Sequence, residues 1–385
     1  MAERMTGDEL VAMVQRVFQP RPGEERLAIL VDLPDSKVGD DAPWKARRDI
    51  ALDWCRELGA RAEDLGLETD LVLYRNTHTN NGDLPDRAWI HAGGPLPSAV
   101  EELDPTASTL LSEIYAEHPI LLAPTKFSAT APLKMAAKRF PIRAATMPGF
   151  GAEMIPSLRL DYREINRRVH LLKDLLDRAE EAEFRFRHPS GESALRLDLR
   201  HRSAHASGGL LPEPGVAGNL PSGEAYIVPY EGEVAGDPSR SSGELPVQFG
   251  FEVVRYRIEA NKAVAVLSRG PESDREAALL EGEPAYGNIA ELGLGVLAHF
   301  GVKPIGEVLL DEKLGLHIAF GRSEHFGGQV GPSAFSSPEA VVHIDRVYVP
   351  EVMPEVQVLV MDLLLEDGGR VAILQDSAYV LDFGI

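Results

Sequence analysis

Two short stretches bring histidine and carboxylate together. Gly315–Gly328 reads GLHIAFGRSEHFGG and Val341–Val347 reads VVHIDRV. His317 lies in an apolar run bounded by glycines, which predicts a buried ring. A buried neutral imidazole needs a partner at each nitrogen. That partner is either a fixed hydrogen-bonding group, as for any satisfied core histidine, or a metal ion. His343 and Asp345 are spaced by two, so on a strand their side chains share a face. Such a pair makes a His–Asp hydrogen bond or offers two ligands to one divalent ion, and mixed histidine–carboxylate sets suit Zn, Co, Mn or Fe(II). Glu224, ahead of the apolar AYIVP, and Glu291, at the head of ELGLGVL, stand next to runs that should be buried. An ionised carboxylate there is costly unless it is paired or metal-bound. Together with His317 and the His343/Asp345 pair they form a plausible ligand set for one or two ions.

Other chemistries leave no trace. The chain has no H-E-x-x-H, no phosphate-binding G-x-x-x-x-G-K-[ST] and no G-x-S-x-G elbow. Cys55 is the single cysteine, which excludes an intrachain disulfide and a cysteine-based zinc site. His201 and His205 have metal-compatible spacing but adjoin Ser-Gly-Gly, which predicts an exposed loop. His299 reads as a helix-end residue.

The elements that must position these residues follow from pattern and length. At 385 residues the chain is long for one core, so two domains are expected. The first, residues 1–186, alternates buried strands with amphipathic helices, which predicts an open α/β domain with a parallel sheet. A long helix is expected over Asp161–Phe184, with Ile165, Val169, Leu172 and Leu176 on one stripe. The second, residues 187–385, is rich in Gly, Pro and Ser up to Pro229. It then becomes strand-rich, with a hairpin at Asn261-Lys262 and a turn at Asp367-Gly368-Gly369. The expected fold class is α/β, an N-terminal α/β domain followed by a β-rich α+β domain that carries the metal-type residues. Sixty acidic against 39 basic residues give a net charge of -21, which argues against a nucleic-acid partner. No stretch approaches the roughly 20 apolar residues of a membrane span, and no basic start precedes an apolar run. A soluble, cytoplasmic protein with no membrane partner is the expectation.

The order of motifs then resembles a family. NLPSGEAYIVPYEGEVAG, NIAELGLG, DEKLGLHIAFG and HID, preceded by RAATMPGFGAEMI and DYREINRRV, look like the M29-type metallo-aminopeptidases, the aminopeptidase T group, over about residues 120–348. The resemblance implies a divalent-metal centre with Glu224, Glu291, His317, His343 and Asp345 as ligands. It also implies Glu312 as general base, a peptide or other small-molecule substrate, and a homodimer. The family's tyrosine ligand falls at Glu324 here, followed by His325. The same scaffold resembles ring-cleaving dioxygenases of dihydroxypyridines, which hold one Fe(II) with two histidines and an aspartate. His343 and Asp345 fit two of those positions; the third is Glu291, and Ser128-Ala129-Thr130 stands where those enzymes have threonine-histidine-threonine. The expected function is a metal-dependent hydrolase that removes N-terminal residues from peptides. An Fe(II) dioxygenase and a non-catalytic binding protein are the alternatives.

Overall fold

The computed structural model describes residues 3–384. The chain divides into two compact units. One runs to Glu164 and regains the segment Gly209–Ser222; the other is Ile165–Gly208 with the chain from Gly223 onward. The expected boundary near residue 186 differs from this division because the helix Tyr162–Arg178 and the strand after it lie mostly in the second unit. Among the described residues no helix is long and apolar enough to cross a membrane.

The first unit is built on a seven-stranded sheet. Its strands are β1 (Arg26–Leu33), β2 (Glu68–Arg75), β3 (Arg87–Ile90), β4 (Thr109–Leu110), β5 (Ile120–Ala123) and β6 (Arg143–Thr146), with Val216–Asn219 added by the returning segment. β1, β2, β5, β6 and Val216–Asn219 pair in parallel, while β3 and β4 pair antiparallel at one edge. Strands buried on both faces read as continuous apolar runs, and β1 is buried along all but its first residue. The helices start where side chains cap them. Thr6 and Glu9 form a capping box for Gly7–Phe18, and Asp41 accepts from the Trp44 backbone N–H at the head of Ala42–Gly59.

The second unit begins with the amphipathic helix, whose stripe of Ile165, Val169, Leu172 and Leu176 is fully buried. The helix stops at Arg178 and not at Phe184; Ala179 opens β7 (Ala179–His188). β8 (Gly191–Asp198) follows inside the stretch rich in Gly, Pro and Ser. Next come β9 (His205–Ser207), β10 (the Val216–Asn219 strand above), β11 (Glu224–Ile227), β12 (Ser242–Phe249), β13 (Glu252–Glu259) and β14 (Lys262–Val266). The chain continues with β15 (Ile289–Gly295), β16 (Leu316–Gly321), β17 (His343–Val347), β18 (Gln357–Leu365), β19 (Arg370–Gln375) and β20 (Ala378–Tyr379). Ala260 and Asn261 both take positive φ, 46° and 66°, in the tight turn between β13 and β14.

Two sheets result, an eight-stranded one in the order β14-β13-β12-β8-β7-β18-β19-β20 and a five-stranded one in the order β17-β16-β15-β11-β9. The apolar run of β18 suggests from sequence that it needs a partner subunit's face. Its two edges are paired within the chain, by β7 and β19.

Candidate metal centre

The five-stranded sheet carries every residue singled out as a metal ligand, and it carries them on one face. Neighbouring strands run antiparallel with Glu224 opposite Gly295, Glu291 opposite Ala319, Ala319 opposite Asp345, and Gly321 opposite His343. His317 lies opposite Gly293, which lies opposite Tyr226. Side chains alternate across a strand, so Glu224, Glu291, His317, His343 and Asp345 project to the same side. Each faces a glycine or alanine on a neighbouring strand. The intervening residues Ala225, Leu292, Leu294, Leu316, Ile318 and Phe320 are buried on the opposite side. Alternation thus divides these strands into a chemical face and a core face.

The small residues form the floor of a hollow. A Cβ at Gly293 would sit 1.9 Å from His317 Nε2, and one at Gly295 would sit 2.2 Å from the Lys313 backbone. Only glycine leaves room for the imidazole at the first position. At the second it lets the 3-10 turn Glu312–Leu314 pass close over the sheet.

Two ligand triads overlap at Glu291. His317 Nε2 lies 3.4 Å from Glu224 Oε2 and 3.3 Å from Glu291 Oε1. His343 Nε2 lies 3.2 Å from Glu291 Oε2 and 3.7 Å from Asp345 Oδ1. In each triad, Glu224–Glu291–His317 and Glu291–His343–Asp345, the candidate ligand atoms all lie within 4.8 Å of one another. The far nitrogens are anchored: Nδ1 of His317 donates to the Gly315 carbonyl at 3.2 Å, and Nδ1 of His343 to the Arg322 carbonyl at 2.8 Å. A carbonyl only accepts, so Nδ1 carries the hydrogen in both rings and Nε2 is left to face the hollow.

The donor set fits divalent ions. Glu224 Oε2 and Asp345 Oδ1 are buried with no hydrogen-bond partner, one in each triad. Buried carboxylate oxygens without a partner are costly in a dry interior. In the metal-free protein protons on the imidazoles supply the missing positive charge. Burial alone would lower the His317 pKa, but the hydrogen bond to Glu291 and the charges of Glu224 and Glu291 raise it to about 10. His343 is likewise raised well above its usual range, against burial, by Asp345 and Glu291. Burial would raise Glu291, yet hydrogen bonds from the two histidines hold it down to about 2.

Lys313 is the residue that sequence reasoning missed. Its ammonium is buried, 2.5 Å from Glu224 Oε1, and also bonds Glu312. It therefore ties up the Glu224 oxygen that faces away from His317 and leaves Oε2 free. Burial raises the Glu312 pKa well above the carboxylate range, against the pull of Lys313. The one available sequence signal was a lysine between an acid and an apolar run.

Glu324 stays outside the triads, held by two bonds of 2.6 Å from the Arg322 guanidinium. His325 turns inward, its ring 5.3 Å from that of His343, and burial with the His343 charge lowers its pKa to about 4. Its loop is pinned by Glu231, which accepts from Ser323 Oγ at 2.6 Å, Asn288 Nδ2 at 2.8 Å and the Gln329 N–H at 2.5 Å. His205 is exposed, as expected, but lies in β9; His201 pairs with Asp237 at 2.9 Å.

No family model and no curated protein sequence matches the chain. Solved structures do. The 2,5-dihydroxypyridine dioxygenase of Pseudomonas putida aligns with a TM-score of 0.61 at 15% identity, over 98% of this chain and 99% of that one. AmpT of Thermus thermophilus aligns with a TM-score of 0.53 at 16% identity, over 97% of this chain and 98% of that one. At such identities the likeness is one of fold, and it extends from end to end. The chain shares its α/β fold with AmpT and with the dihydroxypyridine dioxygenase, the two groups whose motifs its sequence resembles.

Proposed function

We propose that the protein is a dinuclear metal-dependent hydrolase of the aminopeptidase kind. The observation that carries this reading is the pair of triads sharing Glu291, each with one buried, unpartnered carboxylate oxygen. A single ion would leave one of those oxygens orphaned. Glu224, Glu291 and His317 would hold one ion; Glu291, His343 and Asp345 would hold the other.

Divalent ions there supply an acidified water and polarise a carbonyl. The chain's own groups do the rest. Glu312, at the edge of the first triad and held by Lys313, would take a proton from the attacking water and return it to the leaving amine, the charge of bound ions adding to that of Lys313 against the burial that raises its pKa. Lys313 keeps Glu224 and Glu312 oriented and offsets part of the charge of four clustered carboxylates.

The test is metal analysis with a dipeptide panel. Two equivalents of Zn, Co or Mn per chain and release of N-terminal residues are expected. Glu312→Gln should lower kcat on the order of 10²–10⁴-fold with metal content intact. Unchanged turnover in Glu312→Gln would remove it from the chemistry.

A mononuclear Fe(II) dioxygenase is the second reading. It is favoured by the Glu291–His343–Asp345 triad, which by itself could hold one ion. One iron per chain and oxygen uptake with 2,5-dihydroxypyridine would establish it over the hydrolase. The homodimer rests on the family resemblance alone, and light scattering decides it.

A further inference from the structure

We infer that Tyr226 is a further substrate-contacting residue, whose hydroxyl donates a hydrogen bond to the oxygen that gains charge when water adds to the substrate carbonyl. This rests on the hydrolase reading above. Tyr226 is two residues from Glu224 on β11 and shares its face of the sheet. Across the sheet it is opposite Gly293, which is opposite His317. The imidazole fills the room over that glycine, its Nε2 only 1.9 Å from where a Cβ would sit. The ring is only 9% exposed and is clamped, stacked on His205 at 5.1 Å and edge-on to Phe326 at 4.9 Å. Phe326 also touches the His343 ring, at 5.4 Å. The clamp fixes the phenol beside both triads.

Other buried tyrosines of this unit commit their hydroxyls to the protein. Tyr230 donates to the Asp237 carbonyl at 2.7 Å, Tyr256 to Glu276 at 2.7 Å and Tyr348 to the Pro246 carbonyl at 2.9 Å. Among the described residues none takes a hydrogen bond from Tyr226. A donor on a rigidly held ring, left unused by the protein, is the arrangement that stabilises a developing oxyanion, since it needs no reorganisation during reaction. In the step concerned, the water oxygen bonds to the carbonyl carbon and the carbonyl electron pair moves to the oxygen that Tyr226 contacts. The pair then returns as the C–N bond breaks, and the proton taken by Glu312 leaves on the amine.

Tyr226→Phe keeps the ring and its clamp and deletes the donor. In the metal-loaded variant, kcat on the fastest peptide of the panel should fall on the order of 10²–10³-fold with KM nearly unchanged. By calorimetry, affinity for the phosphinic analogue of that peptide should fall by a comparable factor, while metal equivalents and melting temperature stay at wild-type values. Wild-type kcat and analogue affinity would overturn the assignment. So would loss of a metal equivalent, which would make the phenol part of the ion-holding set. If the loaded wild type hydrolyses no peptide, the hydrolase reading itself fails and this role falls with it; active wild type with an unaffected variant removes Tyr226 alone.

Discussion

His317 and His343 each commit one nitrogen to a backbone carbonyl and aim the other at acid. Metal must therefore displace protons that the carboxylates hold on the rings. His317 is raised to about 10 and His343 well above its ordinary value, against burial, by Asp345 and Glu291, so both rings hold protons before loading. Loading with Zn in unbuffered solution at pH 7 should release about two protons per chain, and affinity should tighten as pH rises. A pH-stat that records no release would show that the imidazoles are not ligands. At this scale the sequence was readable where spacing was local: the His343/Asp345 pair predicts a shared face, and it has one. Lys313 and Tyr226 were not readable, because what makes them matter is the strand beside them.

At the scale of the element, alternation along five strands builds both the chemical face and the core behind it. Gly293 is the most constrained point of the floor. Gly293→Ala should force His317 out of the hollow, cost about 1–3 kcal/mol and abolish binding at the first triad. Denaturant melts and metal stoichiometry together check this; full occupancy in the variant would mean that the ring can move aside without loss. The elements themselves were mostly legible, as in the alternating strands and helices of the first unit. The exception is instructive. Ala179–Phe184 is rich in glutamate, a good helix former, and follows a strongly amphipathic helix. Its burial nevertheless alternates, because β8 and β18 pair with it on both sides, and pairing outweighs propensity. β8 was hidden in the same way, since polar residues on its solvent face mask a short alternation.

For the whole molecule, the centre sets the conditions under which the metal-free protein is stable. His317, whose pKa rises from 6.5 to about 10, adds stability that is complete below 6.5 and lost as pH climbs through about 10. Glu291, lowered from 4.5 to about 2, adds stability that is complete above 4.5 and lost as pH falls through about 2. The chelated protein should thus melt highest between about pH 4.5 and 6.5 and decline toward alkaline pH. The loaded protein should resist that alkaline decline, since its imidazoles are already neutral. At a hundredfold excess over Kd, bound metal should add about 2.7 kcal/mol per site. Scanning calorimetry with and without chelator checks both; superimposable curves would rule out a metal coupled to folding.

The division of β11, β15 and β16 into two faces has one more consequence. A slip of one residue reverses a strand. In a slipped β16 the hollow would receive Leu316, Ile318 and Phe320, and His317 would be driven into the core. Such a misassembled molecule would lack the imidazole of the first triad and fall short of full occupancy. Metal occupancy is therefore a record of correct assembly: the ion inspects the pairing of strands far apart in the chain and rewards only the one arrangement that brings Glu224, Glu291, His317, His343 and Asp345 to the same side.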